Sequence, residues 1–213
     1  MQATEHPLHK LNDFLPEHSF ELVVKFINQY KIHLTITKQR KSILGDYRHA
    51  FLEKNHRISI NGNLNKYEFL ITLLHEIAHL LTFEQFGRKV EVHGKEWKHF
   101  YSNLLKNFIE QKIFPADIEK ALHKSVVNPA ATANGETDLL LVLRKYNVAK
   151  REGYYHLIEL PTDAMFVMDN GRIFKKGNQR RKRFECLEIR SGKIYLVNPI
   201  AEVKILHPTP NGE

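Results

Sequence analysis

Phe20, Val23, Val24 and Ile27 recur at three- to four-residue spacing behind Pro16 and Glu17, which predicts a helix from there to about Tyr30. Ile32, Leu34 and Ile36 then alternate with His33, Thr35 and Thr37, the two-residue period of a strand. Further strands are expected over 43–52 and 57–60, with an Asn61-Gly62-Asn63 turn after them. A dense apolar run over 66–86 reads as a long helix ended by Gly87. Another helix follows over 95–112, with Trp97, Phe100, Tyr101, Leu104, Leu105 and Phe108 on one face and Pro115 closing it, and 116–123 makes a short third. Residues 128–135 (Asn-Pro-Ala-Ala-Thr-Ala-Asn-Gly) carry no bulky side chain and read as a linker. Beyond them the pattern shortens to strands over 154–160, 164–168, 172–175, 183–189 and 193–197, with turns at Asp169-Asn170-Gly171 and Ser191-Gly192. The expectation is an α+β body over 1–127, a linker over 128–135 and a small β-rich module over 136–213.

Composition narrows the class. With 213 residues, 42% of them hydrophobic, the chain can bury a core without disulfide staples. The longest apolar stretch is too short for a membrane span and contains His75, Glu76 and His79, so no membrane partner is expected. No apolar signal core opens the chain, and Cys186 is its one cysteine, which excludes an internal disulfide or a multi-cysteine metal site and suits the cytoplasm. The formal charge of +8 is uneven: residues 171–193 hold nine basic side chains against Glu185 and Glu188, leaving the rest of the chain close to neutral. A basic module on a neutral body suggests a polyanion partner, nucleic acid first.

His75-Glu76-Ile77-Ala78-His79 is an H-E-x-x-H motif inside the long apolar helix. Residues four apart share a helix face, so both imidazoles can reach one metal ion, and Glu76 can approach a zinc-bound water without ligating the metal. Zinc held mainly by neutral nitrogens acidifies its water toward neutral pH, and Glu76 would take the proton. Two imidazoles and a carboxylate among leucines would be costly to bury without such a partner. A third ligand is needed, from His93, Glu96 or Glu84. Positions three and six past the second histidine are Thr82 and Gln85, which excludes the metzincin pattern. Glu84 is rotated off the ligand face, whereas His93 stands where a loop meets a helix and Gly94 lets the backbone turn, so His93 is the best choice.

H-E-x-x-H, a short loop and then His93-Gly94-Lys95-Glu96-Trp97-Lys98 resemble the SprT-like (Spartan-related) zinc metalloprotease family, and Ile58-Ser59-Ile60-Asn61 ahead of the motif helix is similar as well. The resemblance implies a zincin-like domain, with His75, His79 and His93 as zinc ligands, Glu76 as catalytic base and Trp97 as a core residue of the following helix. In many members a zinc ribbon follows the protease domain. Here Arg180 to Cys186 and Ser191 to Tyr195 resemble half of one without its partner cysteines, so packing of Phe166, Ile173, Phe174, Phe184, Leu187, Ile189, Tyr195 and Val197 would have to replace the metal. Lys175, Lys176, Arg180, Arg181, Lys182 and Arg183 would contact DNA phosphates, with Phe174, Phe184 and Tyr195 available to stack on bases. The expected function is zinc-dependent cleavage of DNA-bound or DNA-crosslinked proteins. Two rivals are a DNA-associated zinc-binding factor with little proteolysis and a metallohydrolase of non-peptide substrates.

Overall fold

The computed structural model describes residues 8–40, 43–52, 54–130, 137–147 and 153–206. The chain divides into two units, Met1–Asn147 and Val148–Glu213. In the first, a 3₁₀ turn at His9–Asp13 precedes helix α1 (Phe20–Gln29), strands β1 (His33–Thr37), β2 (Gly45–Arg48) and β3 (Arg57–Asn61), and helices α2 (Lys66–Phe86), α3 (Lys95–Glu110), α4 (Ala116–Val127) and α5 (Thr137–Arg144). The sheet runs in the order β1-β3-β2, parallel between β1 and β3 and antiparallel between β3 and β2, so β2 is an edge.

α2 is the centre of this unit because it is apolar on nearly every side. Phe69, Leu70, Leu73, Leu74, Ile77 and Leu80 are fully buried, as are Ile58 and Ile60 of β3 and Trp97, Leu105 and Phe108 of α3 in the same core. A helix with no polar face must be surrounded, and each fully buried aliphatic side chain contributes about 1.5–3 kcal/mol. Its start is fixed by Asn65, whose side chain accepts from the Glu68 amide (3.0 Å), and Gly87 follows its last turn. The same Asn65 side chain donates to the Leu143 carbonyl (2.9 Å) and to Asn147 (2.8 Å), tying the end of α5 to the start of α2.

Three expectations change here. α1 starts at Phe20, because the Pro16 carbonyl accepts from both the Ser19 amide and the Ser19 hydroxyl and spends that segment on a turn. The second strand keeps only Gly45–Arg48 of the expected 43–52; Phe51 and Leu52 are exposed and Leu52 has a positive φ of 52°. The module expected from 136 yields its first segment to α5, whose Leu139 and Leu143 join the core of the first unit, so the division falls after Asn147. Most of the expected linker, 131–135, lies outside the described residues.

The second unit is an antiparallel sheet of β4 (Tyr154–His156), β5 (Met165–Val167), β6 (Ile173–Arg180), β7 (Arg183–Glu188), β8 (Ile194–Val197) and β9 (Glu202–Ile205), in the order β4-β9-β5-β6-β7-β8. β9 was not expected, and β6 runs five residues past its expected end at 175. Its core is Leu157, Leu160, Phe166, Phe174, Phe184, Cys186, Val197 and Val203, whereas Ile173, Leu187 and Ile189, expected in it, are exposed because strand alternation turns them to the opposite face. Register slips between Lys176 and Gln179, where a Cβ on Gly177 would stand 2.6 Å from the Glu185 carbonyl oxygen, so only glycine fits. No helix among the described residues is long and apolar enough to cross a membrane.

Candidate metal centre

α2 carries His75 and His79 one turn apart, and the loop before α3 delivers His93. The Nε2 atoms of His75 and His79 are 3.2 Å apart and those of His75 and His93 3.4 Å, with the donor atoms of all three within 4.8 Å. Nitrogens about 2.0–2.1 Å from the centre of a tetrahedron would lie about 3.3–3.4 Å from one another, so the spacing suits a small divalent ion. The donors are also in the right state. Burial, then the neighbouring imidazoles, push His75 down to about 3; burial and His93 push His79 down to about 4; burial lowers His93. All three are neutral near pH 7, as ligation requires. Among the described residues this is the only histidine, cysteine or carboxylate cluster able to hold a metal.

Trp97 is the platform beneath the cluster. Fully buried, its ring centroid is 4.7 Å from that of His75, 5.4 Å from His79 and 4.7 Å from His93, and it stacks on Tyr101 at 5.0 Å. It is a core residue of α3, as expected, and it also forms one wall of the site. Of the rival third ligands, Glu84 pairs with His56 at 3.2 Å and Glu96 lies beside Lys95.

Glu76 faces the edge strand. It is only 6% exposed, and a Cβ on Gly45 would stand 2.6 Å from its Oε1, so β2 can pass this close only with glycine there. Burial, then Asp46 on the same strand, push its carboxyl up to about 8, with Arg40 pulling the other way. Arg40 itself donates to Asn61, Ser59 and the Leu44 carbonyl, holding the approach to β2. Sequence reasoning missed β2's contribution. The signal was the isolated Gly45 inside a strand pattern, which marks close approach. Tyr47 was missed too: its ring lies parallel to His79 (6.4 Å, 6°). The Ala50 amide donates to His56 Nδ1, which makes that nitrogen the acceptor for the Tyr47 hydroxyl (2.9 Å) and leaves Nε2–H to donate to Glu84.

The basic residues separate. Arg180, Arg181, Lys182 and Arg183 gather at the β6–β7 turn and, with Leu196, line a groove of about 470 Å³. Lys175 pairs with Asp163 at 2.9 Å. Lys176 does not belong with them: it is 4% exposed, donates to the Leu160 and Ile158 carbonyls and sits over the Phe184 ring. Alternation turns it inward with Phe174 and Cys186, which the charge run concealed. Phe174 and Phe184 are core residues, and Arg172 already lies 4.4 Å over the Tyr195 ring, so the expected base-stacking aromatics are not offered to solvent as a set.

Comparison with known proteins agrees with the first unit. The SprT-like family model matches residues 8–118, just over half the chain. The chain is 39% identical over 95 residues to Protein SprT of Klebsiella pneumoniae (strain 342), covering 43% of this chain and 54% of that protein. It is 38% identical over 95 residues to Protein SprT of Klebsiella pneumoniae subsp. pneumoniae, with the same coverage. It therefore spans about half the length of the curated relatives it matches. No solved structure matches it. The matched residues include the whole histidine cluster, Glu76 and Trp97, and on that ground the chain belongs to the SprT-like family.

Proposed function

We propose that this chain is a zinc-dependent metallopeptidase of the cytoplasm with a zincin-like catalytic domain, cutting proteins bound or crosslinked to DNA. One observation carries the reading: three neutral imidazole nitrogens converge at tetrahedral spacing beside a buried carboxylate of raised proton affinity. His75, His79 and His93 would hold the ion. Zinc there would supply the Lewis acidity that polarises a scissile carbonyl and acidifies the attacking water. Burial and Asp46 favour the protonated form of Glu76 by themselves; the positive charge of an ion held by the histidines would lower that affinity, and Glu76 would then serve as the base toward the attacking water and return the proton to the leaving amine. Gly45 lets β2 pass close enough to hold Glu76 in place, while Trp97 keeps bulk water from one side of the ligands. The turn formed by Arg180, Arg181, Lys182 and Arg183 would hold DNA by its phosphates, without reading its sequence.

The test is metal content by mass spectrometry together with cleavage of casein and of the protein itself, with and without single-stranded DNA, in wild type, Glu76→Gln and His93→Ala. The expected result is one zinc per chain, kept in Glu76→Gln and reduced in His93→Ala, with DNA-stimulated cleavage in wild type alone. Zinc without cleavage under any DNA condition would replace this reading with that of a DNA-associated zinc-binding factor.

A further inference from the structure

Among the described residues, the sheet of the second unit ends at β8 with no further strand beyond it. Its other end, β4, is only three residues long, a common way of discouraging a further strand. β8 (Ile194-Tyr195-Leu196-Val197) carries no charge, proline or bulge, and no described strand lies on its outer side. Tyr195 and Val197 turn toward the core, while Ile194 and Leu196 point away from it, 66% and 48% exposed. Leu187 pairs with Ile194 in register, and Ile173 and Ile189 adjoin it, so the outer face presents an aliphatic strip, flanked by Lys175 opposite Leu187 and by Glu185 opposite Leu196, the latter paired with Arg180 at 3.5 Å. Its cationic border is the groove where Arg180, Arg181, Lys182 and Arg183 meet Leu196.

We propose that the β8 edge and this aliphatic face form a docking surface for an extended, acidic and aliphatic segment of a partner protein, added to the sheet as a further strand. Strand addition supplies main-chain hydrogen bonds, and alternate side chains then reach the aliphatic strip while carboxylates meet the cationic border. The chemistry separates this occupant from two others. A nucleic acid could use the cationic border through its phosphates, but the aliphatic strip offers its bases no aromatic face, since Phe174 and Phe184 are buried. A second copy pairing through β8 would bring two strongly basic segments together, which like-charge repulsion opposes.

The probe is a fluorescein-labelled nine-residue peptide alternating Glu and Val, titrated into the full chain and followed by anisotropy. Controls are the Lys–Val peptide, a Glu–Val peptide with alternate backbone amides N-methylated, and an oligo-dT strand as competitor. The expected result is saturable binding of the Glu–Val peptide, weakened at least tenfold in Ile194→Thr/Leu196→Thr, in Arg180→Glu/Arg183→Glu and by N-methylation, with no saturation by the Lys–Val peptide. Because both variants change exposed positions, each should keep the wild-type circular dichroism and melting temperature; a charge pair that folds normally tests the proposal even if the aliphatic pair does not. No saturable binding at millimolar peptide would overturn it. So would oligo-dT binding that falls with the aliphatic pair while peptide binding does not, or a concentration-dependent dimer abolished by the same pair.

Discussion

Glu76 prefers to keep its proton: burial first, then Asp46, push it up to about 8 from an ordinary 4.5, and Arg40 only partly opposes them. The folded chain therefore holds a proton that the unfolded chain releases near its ordinary value. Stability from this group is complete below that value and is lost as pH rises through the folded one. In chelator-treated protein, the melting temperature of Glu76→Gln should exceed that of wild type by a margin that widens from about pH 5 to about pH 9. A constant margin would show that the carboxylate is not burdened. Gly45→Ala tests the same contact from the strand side. With a Cβ 2.6 Å from Oε1, the carboxylate must move, so cleavage should fall at least tenfold while metal content stays at the wild-type level. The histidines were legible because helical period fixes which residues share a face. Gly45, Asp46 and Tyr47 were not, because their roles arise from an edge strand passing a helix, a contact no local spacing encodes.

α2 was legible in full, from its first residue to its last, since its apolar pattern and Gly87 agree, and the structure adds the Asn65 cap at its start. Elements whose limits depend on neighbours were not. Pro16 looks like a helix start until Ser19 turns back to bond it, and the Leu-rich α5 makes sense only against the core it joins. Its anchor makes a prediction at this scale. Asn65→Ala removes a cap acceptor and one of the two donors to the Leu143 carbonyl, which keeps the Tyr146 amide, and should cost about 1–2 kcal/mol in denaturant unfolding. Amide exchange in α5 should accelerate more than in α3, since the Asn65 side chain bonds the end of α5. Equal acceleration of both helices would mean that α5 is held by its leucines alone.

At the scale of the molecule, the division after Asn147 has a measurable counterpart. A chain ended after Asn147 should bind metal as the full chain does, whereas one ended after Val127 loses Leu139 and Leu143 from the core and should melt lower. Charge runs proved a coarser guide than hydrophobic pattern, because strand alternation hides one lysine of the run and exposes the next. With Arg180, Arg181, Lys182 and Arg183 replaced by Ser, the slope of log affinity for duplex DNA against log salt should shrink by about 3–4. An unchanged slope would place the DNA contacts elsewhere. The sequence holds one tryptophan, and it is the residue lying within 5.4 Å of every imidazole in the cluster. The protein thus carries an internal optical gauge of its own metal content: all tryptophan emission comes from the floor of the site, so a paramagnetic ion such as copper should darken it, a closed-shell ion should not, and occupancy can be followed in unlabelled protein at full length.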